Sequence, residues 1–208
     1  MNGRVAVVAG TACALLASGG APALANERVF NDNGSALVVD ATYTRGGADG
    51  FAYAWQQQNG AGMAFFFEQS GDWVQCAGAK TKTPNDDVYG FVGTFLFGEG
   101  PATVTAGARY ATGSATATVY AYRDVIDDCT GTYTTTPVGD LDLAIGLTTS
   151  GGVSTTRDRS RFHLPGELNN HSSFTFTGAW GSGTATVGGD TVAADGFVGT
   201  SRWSYHSS

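Results

Sequence analysis

Alternation with a period of two, cut into short runs, governs this chain. Thr, Val, Tyr, Phe and Ala recur on alternate positions in stretches such as Phe51–Gln57, Ala115–Arg123 and Asp140–Leu147. That is the pattern of strands with one buried face. The sequence contains 31 glycines, and they separate the runs together with Asn, Asp and Pro. No window places apolar residues at i, i+3, i+4 and i+7, so helix is not expected. The pattern implies an all-β fold: an antiparallel β-sandwich or barrel of roughly 10–13 short strands, because an open sheet of that many would expose its edges. Turns are expected at 45–50, 58–62, 98–101, 112–114, 181–183 and 188–190, where the turn-forming residues concentrate.

Ahead of these runs, residues 1–25 read as a removable export signal. Arg4 gives the positive start, an apolar run follows from Val5 to Leu16, and Ala23-Leu24-Ala25 offers small residues for cleavage before Asn26. The run is shorter than the roughly 20 residues a spanning helix requires. No integral membrane segment is expected after cleavage, and the protein is expected outside the cell. Residues 26–208 then form one all-β domain, or two diverged halves over 26–100 and 101–208. The halves are suggested by Tyr89-Gly-Phe-Val-Gly-Thr94, which recurs as Asp195-Gly-Phe-Val-Gly-Thr200. Cleavage removes Cys13 and leaves Cys76 and Cys129, which in an oxidising compartment are expected to form a disulfide. The net charge is −7, and loss of Arg4 makes it more negative. Such a chain is a poor match for nucleic acid, whose affinity comes mainly from Lys and Arg.

Catalytic constellations are thin. Trp180-Gly-Ser-Gly183 lacks the glycine that a nucleophile elbow needs two residues before its serine. His163, Glu167 and His171 form no familiar metal-ligand spacing, and Asp86-Asp87 and Asp127-Asp128 read first as solvated turn formers. No cofactor and no metal are expected. The best single acid is Glu68, beside Phe65-Phe66-Phe67, where desolvation would raise a carboxyl pKa. A glycoside hydrolase needs a second acid facing the first, and none is apparent. Trp55, Trp73, Trp180 and Trp203 are candidate stacking platforms for sugar rings or a partner, or else core.

The densest positive charge lies in Arg157, Arg159, Arg161 and His163, which share one strand face by parity. Ser150-Gly151-Gly152 reads as the reversal of a hairpin. Its first arm would lay Asp140 and Asp142 against Arg159 and Arg161 as a cross-strand ladder. That arrangement leaves Arg157 and His163 as the positions open to a ligand.

The sweep from Asp140 to about Val187 comprises a Leu-x-Leu strand, a Gly-containing turn, an Arg/Ser-rich strand and Pro165-Gly166. It resembles uncharacterised exported all-β proteins of high-GC bacteria. The resemblance implies export and a β-rich fold and carries no activity. The expectation is a non-enzymatic secreted protein that binds a cell-envelope glycan or a protein partner. The alternative is a secreted polysaccharide hydrolase with Glu68 as its acid.

Overall fold

The computed structural model describes residues 30–76, 89–163 and 169–207. Residues 1–25, expected as an export signal, Asp86-Asp87 and Glu167 lie outside the described residues, as do the side chains of Arg161, His163 and His206. Among the described residues nine strands follow one another: β1 (Phe30–Arg45), β2 (Ala48–Gln57), β3 (Gly62–Gln75), β4 (Tyr89–Ala106), β5 (Thr112–Asp127), β6 (Thr132–Thr149), β7 (Ser154–His163), β8 (Asn169–Val187) and β9 (Asp190–Ser207). A 3-10 turn at Ala108–Tyr110 links β4 to β5. Among the described residues no helix is long and apolar enough to cross a membrane.

Every pairing is antiparallel. β1 to β6 pair in order, β9 joins β1 to β8, and β8 pairs with β6, which closes eight strands into a barrel. From Ala41 the register runs one way through Ala52, Phe66, Gly98 and Ala121 to Gly139. The other way it runs through Gly196 and Gly181 to Thr149, ten residues beyond Gly139. Such a stagger tilts the strands of a narrow eight-stranded barrel. The inner wall is built largely of alanine and glycine, with Val39, Phe66, Val119, Val187 and Val198 among the largest fully buried side chains. Burying each of these contributes about 1.5–3 kcal/mol.

The all-β expectation holds, in its barrel form, but the strands are fewer and longer than the sequence suggests. The expected turns at 98–101 and 181–183 lie inside β4 and β8. Their glycines are inner-wall positions where neighbouring strands come too close for a side chain. A Cβ at Gly100 would meet the carbonyl of Thr118, and one at Gly183 the carbonyl of Gly146. Glycine in a strand interior marks such a close approach. At Gly46, Gly47, Gly188 and Gly189, by contrast, φ is 58°, 85°, 60° and 93°, and there the chain does turn.

The hairpin expected at Ser150–Gly152 is absent. β6 and β7 run in the same direction along one edge of β8. Leu143–Thr149 pair with Gly181–Val187, and Ser154–His163 with Asn169–Gly178. The four residues 150–153 oppose only Ala179 and Trp180, so they form a bulge that preserves side-chain parity. Asp140 and Asp142 face Tyr120 and Thr118 of β5, and the ladder to Arg159 and Arg161 does not exist. The physical reason is closure: β6 must offer its free edge to β8, and a hairpin there would leave the ring open. The inward alternation of Leu141, Leu143, Ile145 and Leu147 does hold.

The strands overshoot the closed ring at both ends. At one end β3, β4, β5 and β6 continue as a flap. There the Cys76–Cys129 disulfide, with Cα atoms 5.1 Å apart, ties the end of β3 to the β5–β6 turn. Asp128 accepts the Phe91 N–H at 3.0 Å, and its own N–H donates to the Phe91 carbonyl at 3.0 Å. At the opposite end β7, β8, β9 and β1 form a second flap. The repeated Gly-Phe-Val-Gly has a shared role in this sheet. Phe91 lies over Gly93 and Gly71, and Phe197 lies over Gly199 and Gly178, so each ring covers bare glycine backbone on the outer face.

Candidate functional site

Three places in this fold gather the residues that carry chemistry. The first is the outer wall of β2 to β5. Phe51, Phe67, Phe97 and Tyr122 stand directly opposite one another across these four strands, because each occupies an outward position of the alternation. Phe97 and Tyr122 have ring centroids 5.9 Å apart, and Tyr122 and Tyr120 5.2 Å. A second chain of rings leads from Phe67 to Phe95 (5.2 Å), Phe91 (5.0 Å) and Trp73 (6.1 Å). Trp73 is 69% exposed, and Phe67, Tyr120 and Tyr122 are also exposed. The outer faces of β5, β6 and β8 away from this wall carry Thr116, Thr118, Asp142 and Thr184 instead. A second, smaller aromatic patch lies on β8 and β9, where the exposed Trp180 meets Phe197 edge-on at 5.7 Å.

Two carboxyls are set into the outer face. Asp124, opposite Phe95, is buried; its Oδ2 accepts the Tyr133 hydroxyl at 2.6 Å, while Oδ1 has no partner among the described residues. Asp40 stands between Tyr53 and Phe197 in register and accepts the Phe197 N–H at 3.1 Å. Burial pushes its pKa up to about 7, against the pull of that hydrogen bond. Of the four tryptophans, Trp73 and Trp180 are exposed. Trp203 packs on Gly34, and Trp55 is half-buried.

The second place is the mouth of the barrel, where Glu68 points inward on the face of Phe66. It is not a lone desolvated acid. Arg45 donates from Nε to Glu68 Oε1 at 2.8 Å and from an Nη to Oε2 at 2.7 Å, and its other Nη reaches Asp190 Oδ2 at 2.9 Å. The buried Tyr43 hydroxyl makes no hydrogen bond of good geometry among the described residues. Burial and the neighbouring Glu68 charge push its pKa up. With both Glu68 oxygens occupied by the two-pronged guanidinium and Asp190 on its third arm, the arrangement suits a structural clasp of β1, β3 and β9 better than a general acid.

The third place is the flap of β7, β8 and β9. Arg157 lies opposite Thr175, which lies opposite Arg202; Arg159 lies opposite Ser173, which lies opposite Ser204. Arg161 and His163 continue the register opposite His171 and Asn169. Arg157, Arg159 and Arg202 are exposed and form no ion pair among the described residues. Sequence parity groups Arg157 with Arg159, but Arg202 is brought to them only by the strand register. No pattern in the sequence announces it.

Among the described residues no group of three or more His, Cys, Asp or Glu is placed to hold a metal ion. Asp127 accepts the Thr130 N–H at 3.1 Å and, like Asp128, builds its turn. Compared with protein-family models, curated proteins and solved structures, the chain matches none.

Proposed function

We propose that this is a non-enzymatic exported protein that holds a cell-envelope glycan against its aromatic outer wall. The observation that carries the reading is the Phe51–Phe67–Phe97–Tyr122 row, four aromatic rings in register across four neighbouring strands, with exposed Trp73 and Tyr120 beside it. Sugar rings present flat C–H faces that stack on aromatic rings, and their hydroxyls need a few fixed polar partners at the edge. Asp124, in register with Phe95, and the Tyr133 hydroxyl that donates to its Oδ2 are the polar groups set beside these rings. A closed barrel whose interior is filled by core side chains, and whose best acid is clasped by Arg45, supports binding over hydrolysis.

The test is binding of the chain from Asn26 onward to a panel of cell-wall polysaccharides, by affinity electrophoresis or calorimetry. Trp73→Ala and Tyr122→Ala should each weaken binding about tenfold, roughly 1.4 kcal/mol, without lowering the melting temperature. Retention on no glycan, or unaltered binding by both variants, would overturn the reading. For the hydrolase alternative, Glu68→Gln decides. Removing one partner of a buried pair should cost about 3 kcal/mol in a urea titration. A variant that instead keeps its stability and loses a glycan-cleaving activity would restore Glu68 as an acid.

A further inference from the structure

We infer that the β7–β8–β9 flap is a second, independent site, built to take an acidic polysaccharide through its carboxylate, sulfate or phosphate groups. The inference does not rest on the aromatic wall, which lies on other strands and the other side of the sheet.

The face concerned continues the barrel's inner wall beyond the ring. It carries Arg157 and Arg159 from β7 and Arg202 from β9; Thr175 lies between Arg157 and Arg202 in register, and Ser173 between Arg159 and Ser204. Neighbouring strands lie about 4.8 Å apart and residues two apart along a strand about 6.8 Å. The backbone positions of the three arginines therefore frame a patch roughly 10 Å by 7 Å that also carries these hydroxyls. Ser173 and Ser204 share a hydrogen bond at 2.7 Å, which ties two of them together. No carboxylate faces this side among the described residues; Asp158 falls on the opposite side by parity. Three arginines without a neutralising acid are a departure for a chain of net charge −7.

One competing explanation is edge protection. β7 pairs only with β8 among the described residues, and charged side chains on an edge strand discourage pairing with other chains. That explains Arg157 and Arg159 on either face equally well. It does not explain Arg202, which sits in β9 between β8 and β1. Nor does it explain why Asp158, not an arginine, takes the reverse side. Guanidinium forks match carboxylate, sulfate and phosphate oxygens in pairs, and the hydroxyls of the patch are matched to sugar hydroxyls rather than to apolar surface.

The experiment measures retention and affinity of the chain from Asn26 onward for polygalacturonate, heparin, a phosphate-bearing glycan, neutral dextran and duplex DNA at several salt concentrations. The first three separate carboxylate, sulfate and phosphate as the source of the anion. The expected result is binding to at least one acidic glycan and none to dextran. Arg157→Gln and Arg202→Gln should each reduce affinity about tenfold and lower the salt slope by about 1, as loss of one counterion-releasing contact does. Arg123→Gln removes the same charge from β5 at the far flap and should change neither. Circular dichroism of each variant separates loss of fold from loss of binding. Three outcomes overturn the inference: no retention on any acidic glycan, equal losses for Arg123→Gln and Arg202→Gln, or tighter binding to DNA than to every glycan.

Discussion

Asp40 and Glu68 are both carboxyls with little solvent, and the chain treats them in opposite ways. Glu68 is given a guanidinium at 2.7 Å that engages both of its oxygens. Asp40 is given only the Phe197 N–H and two aromatic neighbours in register, and burial carries its pKa from 3.8 up to about 7. The folded-state value lies above the unfolded one, so the protonated acid favours the fold. Its stabilising contribution is complete below about pH 4, declines above it, and is gone once the pH has risen through about 7. Asp40→Asn keeps an acceptor for Phe197 and removes the titration. The variant should gain clearly more in melting temperature over wild type at pH 8 than at pH 5. A gain of equal size at both would mean that Asp40 titrates normally and that the surrounding rings leave it hydrated.

The strands themselves were only partly legible in the sequence. Inward and outward parity could be read in β6, where Leu141 to Leu147 alternate with Asp140 and Asp142, and the disulfide partners could be named from the compartment. Glycine misled, because the same residue serves two purposes here: it bends the chain at Gly46 and Gly188, and it admits a neighbouring backbone at Gly100 and Gly183. Composition cannot tell these apart, since the second depends on which strands come to lie alongside. Ser150-Gly151-Gly152 is the sharpest case, a turn signature that became a bulge because β8 claimed the edge a hairpin would have used. The difference is measurable. Spin labels at Asp142 and Arg159 would lie about 5 Å apart across a hairpin. In one continuous line of β6 and β7, at about 3.3 Å per residue, they lie tens of ångströms apart. A short distance by pulsed dipolar spectroscopy would refute the collinear arrangement. The same dependence on register hides the pairing of Arg202 with Arg157 from the sequence.

Taken whole, the molecule is a filled barrel with two unlike ends. One flap is locked by Cys76–Cys129, whose members are 53 residues apart. A closed loop of that size stabilises a fold by about 4 kcal/mol in the chain-entropy account. Reduction should therefore lower the urea midpoint while far-UV dichroism in buffer stays β-like, since the ring of eight strands needs no sulfur to close. An unchanged midpoint would show the lock to be idle. The other flap has no such lock and depends on β8, which runs unbroken from the arginine-bearing end into the barrel seam. Hydrogen bonds in these ladders lie across the strands. A load applied to that flap along the strand direction is consequently shared by many β8–β9 and β6–β8 bonds at once, in place of parting them one by one. An anchored polymer pulling there would meet the mechanical resistance of a lap joint, not that of a zipper.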